Sequence, residues 1–341
     1  MTRVMKALVL EGRGRLCLAE VPLPEPRPGE ALVRVRACGI CGSDLPRIFG
    51  DIAYFYPLIP GHEFSGEVVA VGGREDERWV GERVVVYPLL PCRKCPYCEM
   101  GWYELCEDYG YLGSRQNGAF AEYVVVPVAN LLPLPGNLSF EEGALTEPAA
   151  VAFHAVRRVG EIIGESAAVF GLGPVGLLLG MWLKLAGVRR LIGYDVDEHK
   201  FAIARSLGFD VTLFPSFFPA EPEGIDLVVE ASGSARALVD ALKLVRKKGK
   251  VLLLGNQERE LTLQPADFGH ILRKELTVFG SWNSSFTFLD SDWKKVLDLA
   301  AGGRVSFAPL ISHRIRLEEA PAFLLGMRER RLSYVKVVLV P

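Results

Sequence analysis

Short apolar runs rich in valine dominate the first 148 positions, at 31–36, 67–71, 83–87 and 121–127, each separated from the next by Gly or Pro. This pattern predicts an irregular, mostly β domain. The opening MTRVMKALVLEGRG is a brief apolar stretch closed at once by charge, which predicts a first strand and not a secretory leader. From about Val151 to Ser281 the pattern changes. Apolar strands at 167–170, 191–195, 226–231, 251–255 and 275–279 alternate with helical spacing at 174–186, 199–207 and 235–245. Such alternation predicts repeated βαβ units and a parallel sheet, hence an α/β chain. From about Asp290 a helix at 293–301 and a strand at 335–340 follow, and this tail is expected to rejoin the first domain. The expected boundaries are 1–148, 149–284 and 285–341. No internal repeat or low-complexity tract interrupts them.

The eighteen uncharged residues 166–183 have the length of a membrane span. Gly171, Gly173, Pro174, Gly176 and Gly180 break them into a strand, a turn and a buried helix, so no span is expected. At 341 residues the chain can hold two cores. Lys plus Arg is 39 and Asp plus Glu is 41, and the net charge of −2 gives no reason to expect nucleic acid or an acidic membrane as partner.

The glycines form Gly171-Leu172-Gly173-Pro174-Val175-Gly176 between a predicted strand and helix. In that setting the first glycine allows a tight turn, the second admits a pyrophosphate, and the third lets helix and strand pack closely. The anion then rests on the free N–H groups of a helix N-terminus. Asp195, 19 residues after Gly176, ends the next strand, where an acid accepts hydrogen bonds from the adenosine ribose. Its charge repels a 2′-phosphate, and Val196-Asp197-Glu198 brings no arginine to reverse that. The expected cofactor is NAD.

Five of the seven cysteines fall into two metal-like sets. Cys92, Cys95, Cys98 and Cys106 match a closed four-thiolate zinc site. Cys41 with His62 and Glu63, and a carboxylate from further along, make an open mixed site that keeps a position for a reacting oxygen. Glu147, in Leu145-Thr146-Glu147-Pro148 beside the expected domain boundary and its crevice, is the candidate carboxylate. Asp44 is placed to accept from the second ring nitrogen of His62. Cys17 and Cys38 read as ordinary buried thiols. Thiolate ligands need a reducing compartment, so the expected location is cytoplasmic.

In this order, Gly61-His62-Glu63-Phe64-Ser65-Gly66, Gly81-Glu82-Arg83-Val84, the four-cysteine loop and GLGPVG resemble the medium-chain zinc alcohol and polyol dehydrogenases over essentially the whole chain. The resemblance implies a GroES-like β-rich catalytic domain joined to a doubly wound Rossmann domain. It implies two zinc ions per chain, one catalytic on Cys41, His62 and Glu147, with Glu63 an alternative or transient ligand, and one structural. It makes Ser43 the hydroxyl that takes the substrate proton. Where many relatives have a histidine five residues after the zinc cysteine, ending the proton relay, this chain has Pro46, so the relay must leave by another route. A homodimer through the apolar strand at 276–279 is also implied.

Within the family, residues 41–50, 56–66, 86–92 and above all 268–282 (FGHILRKELTVFGSW) are most similar to the galactitol-1-phosphate 5-dehydrogenase branch. The substrate expected from this is a small polyol phosphate, galactitol 1-phosphate giving tagatose 6-phosphate. An unphosphorylated polyol or L-threonine is the alternative, and a nucleotide-binding protein that lost catalysis is a third reading. A phosphate needs a cationic contact remote from the reacting carbon. Arg47 and Arg115 are candidates, with Lys336 behind them, while Trp282 and Asn283 are candidates to line the cleft.

Overall fold

Valine-rich runs of the N-terminal region pair into a seven-stranded sheet in this computed structural model, which describes residues 3–214, 224–257, 260–287 and 289–341. The strand order is Ile311–Arg316, Lys336–Val340, Glu30–Gly39, Glu63–Val71, Arg83–Val86 and Leu131–Pro133, with Tyr123–Pro127 also pairing Glu30–Gly39. The chain divides into two units, Met1–Glu147 with Ser285–Pro341, and Pro148–Ser284. In the first unit the core is built from this sheet and the strand Val4–Gly12, with Leu8, Leu10, Val33, Phe64, Val84 and Phe120 almost wholly buried. Cys38 lies in that core, whereas Cys17 is exposed. The expectation of a buried Cys17 fails because its strand, Arg15–Pro22, pairs among the described residues only with Val4–Gly12 and has no fully buried position.

Register in this sheet sets the functional geometry. Cys38 lies opposite Phe64, and Gly39 opposite Glu63. On the other side Val338 lies opposite Gly39 and Leu339 opposite Cys38. Three chain segments therefore meet at Gly39. A Cβ there would collide with the Glu63 carboxylate and the Lys336 side chain, so this close approach requires glycine.

The second unit is a six-stranded parallel sheet in the order Asp210–Leu213, Arg190–Asp195, Ser166–Phe170, Ile225–Glu230, Val245–Leu253 and Thr277–Gly280. That is the doubly wound order 3-2-1-4-5-6, whose switch point lies between Ser166–Phe170 and Ile225–Glu230. Ser166–Phe170 is buried at every position, the mark of a parallel strand covered on both faces. The apolar stretch 166–183 resolves into this strand, a turn and the helix Pro174–Leu185. Among the described residues no helix is long and apolar enough to cross a membrane. Two strands depart from the sequence reading. Asp210–Leu213 has no counterpart in the apolar pattern, because a four-residue edge strand without a buried position carries no such signal. Val245–Leu253 begins earlier than 251, since Arg246-Lys247-Lys248 interrupts its apolar pattern.

One polar staple ties this sheet together. Asp226 Oδ2 accepts from the Ser166 amide at 2.7 Å and the Ser166 hydroxyl at 2.6 Å, and its Oδ1 accepts from Arg246 Nε at 2.6 Å. Burial works against the charge, but the Ser166 donors and the Arg246 guanidinium outweigh it and lower the carboxyl from 3.8 to about 2. A folded-state value below the unfolded one stabilises the protein above the unfolded pKa, and the contribution fades as pH falls from about 4 to about 2. We predict that Asp226→Asn costs about 2 kcal/mol at pH 7. In urea titrations the gap to the parent should narrow as pH approaches 3. A gap that stays constant with pH would refute the charge as its source.

Candidate active site

Cys41 follows the strand Glu30–Gly39 by two residues and precedes the helix Asp44–Phe49, while His62 and Glu63 stand at the start of Glu63–Val71. Because Gly39 pairs with Glu63, the thiol and the two following ligand candidates converge although 21 and 22 residues separate them. Their ligand atoms all lie within 4.8 Å of one another. His62 and Glu63 are buried, and Cys41 is partly so.

Each of these side chains is held from behind. Asp44, wholly buried, accepts from the Cys41 amide at 3.0 Å, and its other oxygen faces His62 Nδ1 at 3.7 Å. The expected hydrogen bond from His62 to Asp44 is thus not formed at this separation, and among the described residues Nδ1 has no hydrogen-bond partner. Ser43 Oγ donates to Cys41 Sγ at 3.3 Å. Lys336, the first residue of Lys336–Val340, is 1% exposed; its ammonium pairs with Glu63 and donates to the Ile40 carbonyl at 2.9 Å. Burial, reinforced by the Glu63 and Asp44 charges, pushes the Cys41 thiol well above its ordinary range.

Glu147 lies outside the three-residue set, in the first turn of the helix Thr146–Val159. Its Oε1 accepts from the Tyr111 hydroxyl at 3.1 Å, and the Tyr111 ring meets His62 edge-on at 5.6 Å. Burial raises the Glu147 carboxyl to about 7, with Glu63 adding to the rise and His62, Tyr111 and Lys336 opposing it.

A thiol, an imidazole and a carboxylate whose ligand atoms converge within 4.8 Å, the thiol burdened by neighbouring anions, suit a divalent zinc. Cys41, His62 and Glu63 are gathered for such an ion, and Glu147 stands beside them.

The four-cysteine lobe grows from the ribbon in which Leu89 pairs with Tyr111 and Leu90 with Gly110. Its sulfurs also cluster within 4.8 Å, with Cys92–Cys98 and Cys95–Cys106 each at 4.0 Å. Those pairs are opposite edges of a tetrahedron, and zinc–sulfur bonds of about 2.3 Å require edges of about 3.8 Å. The Glu107 amide draws Cys95 down to about 6, while burial lifts Cys98 to about 12. A dication stabilises all four thiolates at once. Cys95→Ser is expected to lower the melting temperature clearly and to reduce the bound zinc from two to one per chain. Unchanged melting, with only one zinc per parent chain, would overturn this.

In the second unit Gly171 has φ +95°, and a Cβ there would press on Ser232. At Gly176 a Cβ would run into the Gly171 carbonyl, whereas a Cβ on Gly173 would meet nothing within 4 Å. Gly173 caps the helix Pro174–Leu185, with Pro174 and Val175 in its first turn, so the open space lies before free N–H groups. A pyrophosphate would fit in that space. Asp195 accepts from the Leu172 amide at 2.6 Å and from the Asp197 amide at 2.9 Å, which fixes its carboxylate at the glycine turn. Lys200 Nζ lies 3.2 Å from the same carboxylate.

Residues 27–136 match the alcohol dehydrogenase GroES-like domain, and residues 174–302 match the zinc-binding dehydrogenase domain. Galactitol 1-phosphate 5-dehydrogenase of Escherichia coli (strain K12) is 36% identical over 99% of this chain and 100% of its own length. The chain belongs to the zinc-dependent medium-chain dehydrogenases. The crystal structure of galactitol-1-phosphate dehydrogenase from Escherichia coli has a TM-score of 0.90 at 34% identity, covering 99% of this chain and 100% of that one. An L-threonine 3-dehydrogenase of Symbiobacterium thermophilum is 34% identical over 100% of this chain and 99% of its own. A putative zinc-binding dehydrogenase from Sinorhizobium meliloti 1021, bound to NADP, has a TM-score of 0.90 at 32% identity, covering 99% of this chain and 100% of that one. The GroES-like and Rossmann parts expected from the sequence are those of the dehydrogenase fold.

Two of the substrate-contact candidates in this dehydrogenase are not free cations. Lys336 is enclosed with Glu63, and Arg47, 9% exposed, is held by Asp44 at 3.3 Å and by the Ser43 carbonyl at 3.4 Å. The sequence offers both as candidate phosphate contacts because nothing local to them tells that they fold inward onto carboxylates. Tyr111 and Lys200 escape sequence reasoning altogether. A lone lysine opening the apolar KVVLV is the one signal that could have flagged burial of Lys336.

Proposed function

We propose that this dehydrogenase oxidises a secondary alcohol of a sugar-alcohol phosphate, galactitol 1-phosphate to tagatose 6-phosphate, with NAD as hydride acceptor. The reading rests on the Cys41–His62–Glu63 cluster with the Ser43 hydroxyl against it, set in a chain similar over its full length to a galactitol 1-phosphate dehydrogenase. A bound zinc supplies Lewis acidity that brings an alcohol's pKa toward neutrality, and a bound nicotinamide takes the hydride. Cys41 as thiolate, His62 as neutral imidazole and one carboxylate balance the metal's charge, which eases exchange of alcohol for ketone. Glu147 is the third ligand in this reading. Glu63 is the reserve, held back by Lys336. Ser43 receives the alcohol proton at Oγ. Pro46 offers no acceptor beyond it, so the proton continues through water or a cofactor hydroxyl.

Asp195 supports NAD over NADP, since Asp197 and Glu198 add negative charge nearby and Lys200 offsets only part of it. Phe268 and Leu272 are exposed on the helix Pro265–Arg273. Val278, in the edge strand Thr277–Gly280, and Trp282, just after it, are exposed as well, which supports a homodimer through that edge. The five free thiols of the two ligand sets support a reducing, cytoplasmic setting.

The test is NAD-linked oxidation of galactitol 1-phosphate, galactitol, sorbitol and L-threonine, side by side in zinc-replete buffer. The phosphate ester is expected to exceed galactitol in kcat/KM by at least about 100-fold, as two or more charge-assisted hydrogen bonds allow. Preference for an unphosphorylated alcohol would overturn the substrate while leaving the dehydrogenase chemistry.

A further inference from the structure

Of the three cations that the sequence offers to an anionic substrate, Arg47 and Lys336 are buried against Asp44 and Glu63. Arg115 differs. Its guanidinium is stacked between two rings, 4.6 Å from the centroid of Tyr54 and 4.3 Å from that of Tyr109. It donates to the Tyr109 carbonyl at 3.2 Å and to the Tyr54 hydroxyl at 3.3 Å. Among the described residues no carboxylate pairs with it. Two of its five donors are used, and a planar cation is held in place with the remainder of its fork available.

Its backbone registers this cation to the proposed metal centre. The amides of Ser114, Arg115 and Gln116 all converge on the Tyr111 carbonyl, at 3.3, 2.9 and 3.1 Å, while the Tyr111 side chain reaches Glu147 and His62. The same loop lies backbone to backbone against the residue before His62. The Ala119 amide donates to the Gly61 carbonyl at 2.9 Å, and a Cβ on either Gly113 or Gly118 would collide with Gly61. From His62 the path to the guanidinium runs through the Tyr111 and Tyr109 rings in steps of 5.6, 6.4 and 4.3 Å. The side chain is therefore anchored, uncompensated and fixed relative to His62.

We propose that Arg115 determines specificity by binding the anionic terminus of the substrate, a phosphate monoester in preference to a carboxylate, with the Tyr54 hydroxyl completing the contact. Guanidinium donors match two oxygens of either anion, and the hydroxyl supplies a donor for a third oxygen, which only the phosphate has. This deepens the proposed function and rests on its reading of the substrate.

The test compares the parent, Arg115→Met and Arg115→Lys, each loaded with zinc, by kcat/KM for galactitol 1-phosphate, galactitol and L-threonine. Calorimetric titration of galactitol 1-phosphate into the NADH complex gives a readout apart from turnover. In Arg115→Met the ratio of phosphate ester to galactitol should fall at least about 30-fold, carried by KM, with a parallel loss of affinity in the titration. Arg115→Lys should restore part of it, since a point charge lacks the fork. If the parent prefers the ester and both variants, folded by thermal melting, keep that ratio or lose both substrates equally, the role of Arg115 is overturned and the substrate reading stands. If the parent shows no preference for the ester, the substrate reading fails first. Loss confined to L-threonine would assign the carboxylate as the anion and overturn the phosphate preference.

Discussion

Cys41→Ser is expected to abolish alcohol oxidation while leaving NADH binding nearly intact. The thiol stands within 4.8 Å of the His62 and Glu63 ligand atoms and takes the Ser43 hydroxyl as a donor at 3.3 Å. A serine hydroxyl in that place is a poor zinc ligand at neutral pH, so the substitution removes the anionic anchor of the proposed site. Loss of a partner behind a ligand costs roughly 10–100-fold. Loss of the ligand itself should exceed that, and a fall of at least about 1,000-fold in kcat/KM is expected. The glycine cradle belongs to the other unit, Pro148–Ser284, and its Gly171, Gly173 and Gly176 do not depend on Cys41. Fluorescence titration with NADH should therefore give an affinity close to that of the parent. Turnover within about tenfold of the parent, in protein freed of excess metal, would remove Cys41 from the catalytic site.

The second large effect is one of stability. Lys336→Met should destabilise the protein by about 3–5 kcal/mol, because removing one partner leaves the other charge buried and unpaired. Both side chains are 1% exposed, and the ammonium is the counter-charge that burial of Glu63 requires. Burial alone would disfavour the charged lysine, yet the Glu63 carboxylate holds its pKa above the ordinary value. Adding Glu63→Gln to the same protein should recover much of the loss, since the orphaned charge is then gone. Urea titrations of the parent, both single variants and the double variant supply the cycle. A single Lys336→Met variant within about 1 kcal/mol of the parent would show that the pair does not carry this weight.

The sequence by itself determined what rests on spacing. Gly171-Leu172-Gly173-Pro174-Val175-Gly176 between an apolar strand and a helical run fixes a glycine turn, because few arrangements satisfy those contacts. Cys92, Cys95, Cys98 and Cys106 define a sulfur cluster because a short loop leaves them little choice but to converge. The place of Asp195 at the end of its strand also follows from its distance after Gly176, though the Leu172 amide that holds it does not. What tertiary structure decided was everything set by strand register. Pairing of Gly39 with Glu63 on one side and with Val338 on the other carries Cys41, Glu63 and Lys336 to one point, from parts of the chain up to 295 residues apart. Nothing near Lys336 or Arg47 in sequence says that one is buried on Glu63 and the other on Asp44. Nor does anything near Arg115 say that it stays uncompensated between Tyr54 and Tyr109. Charge pairing across a fold depends on which distant segments become neighbours, and local patterns of apolar and polar residues hold no record of that.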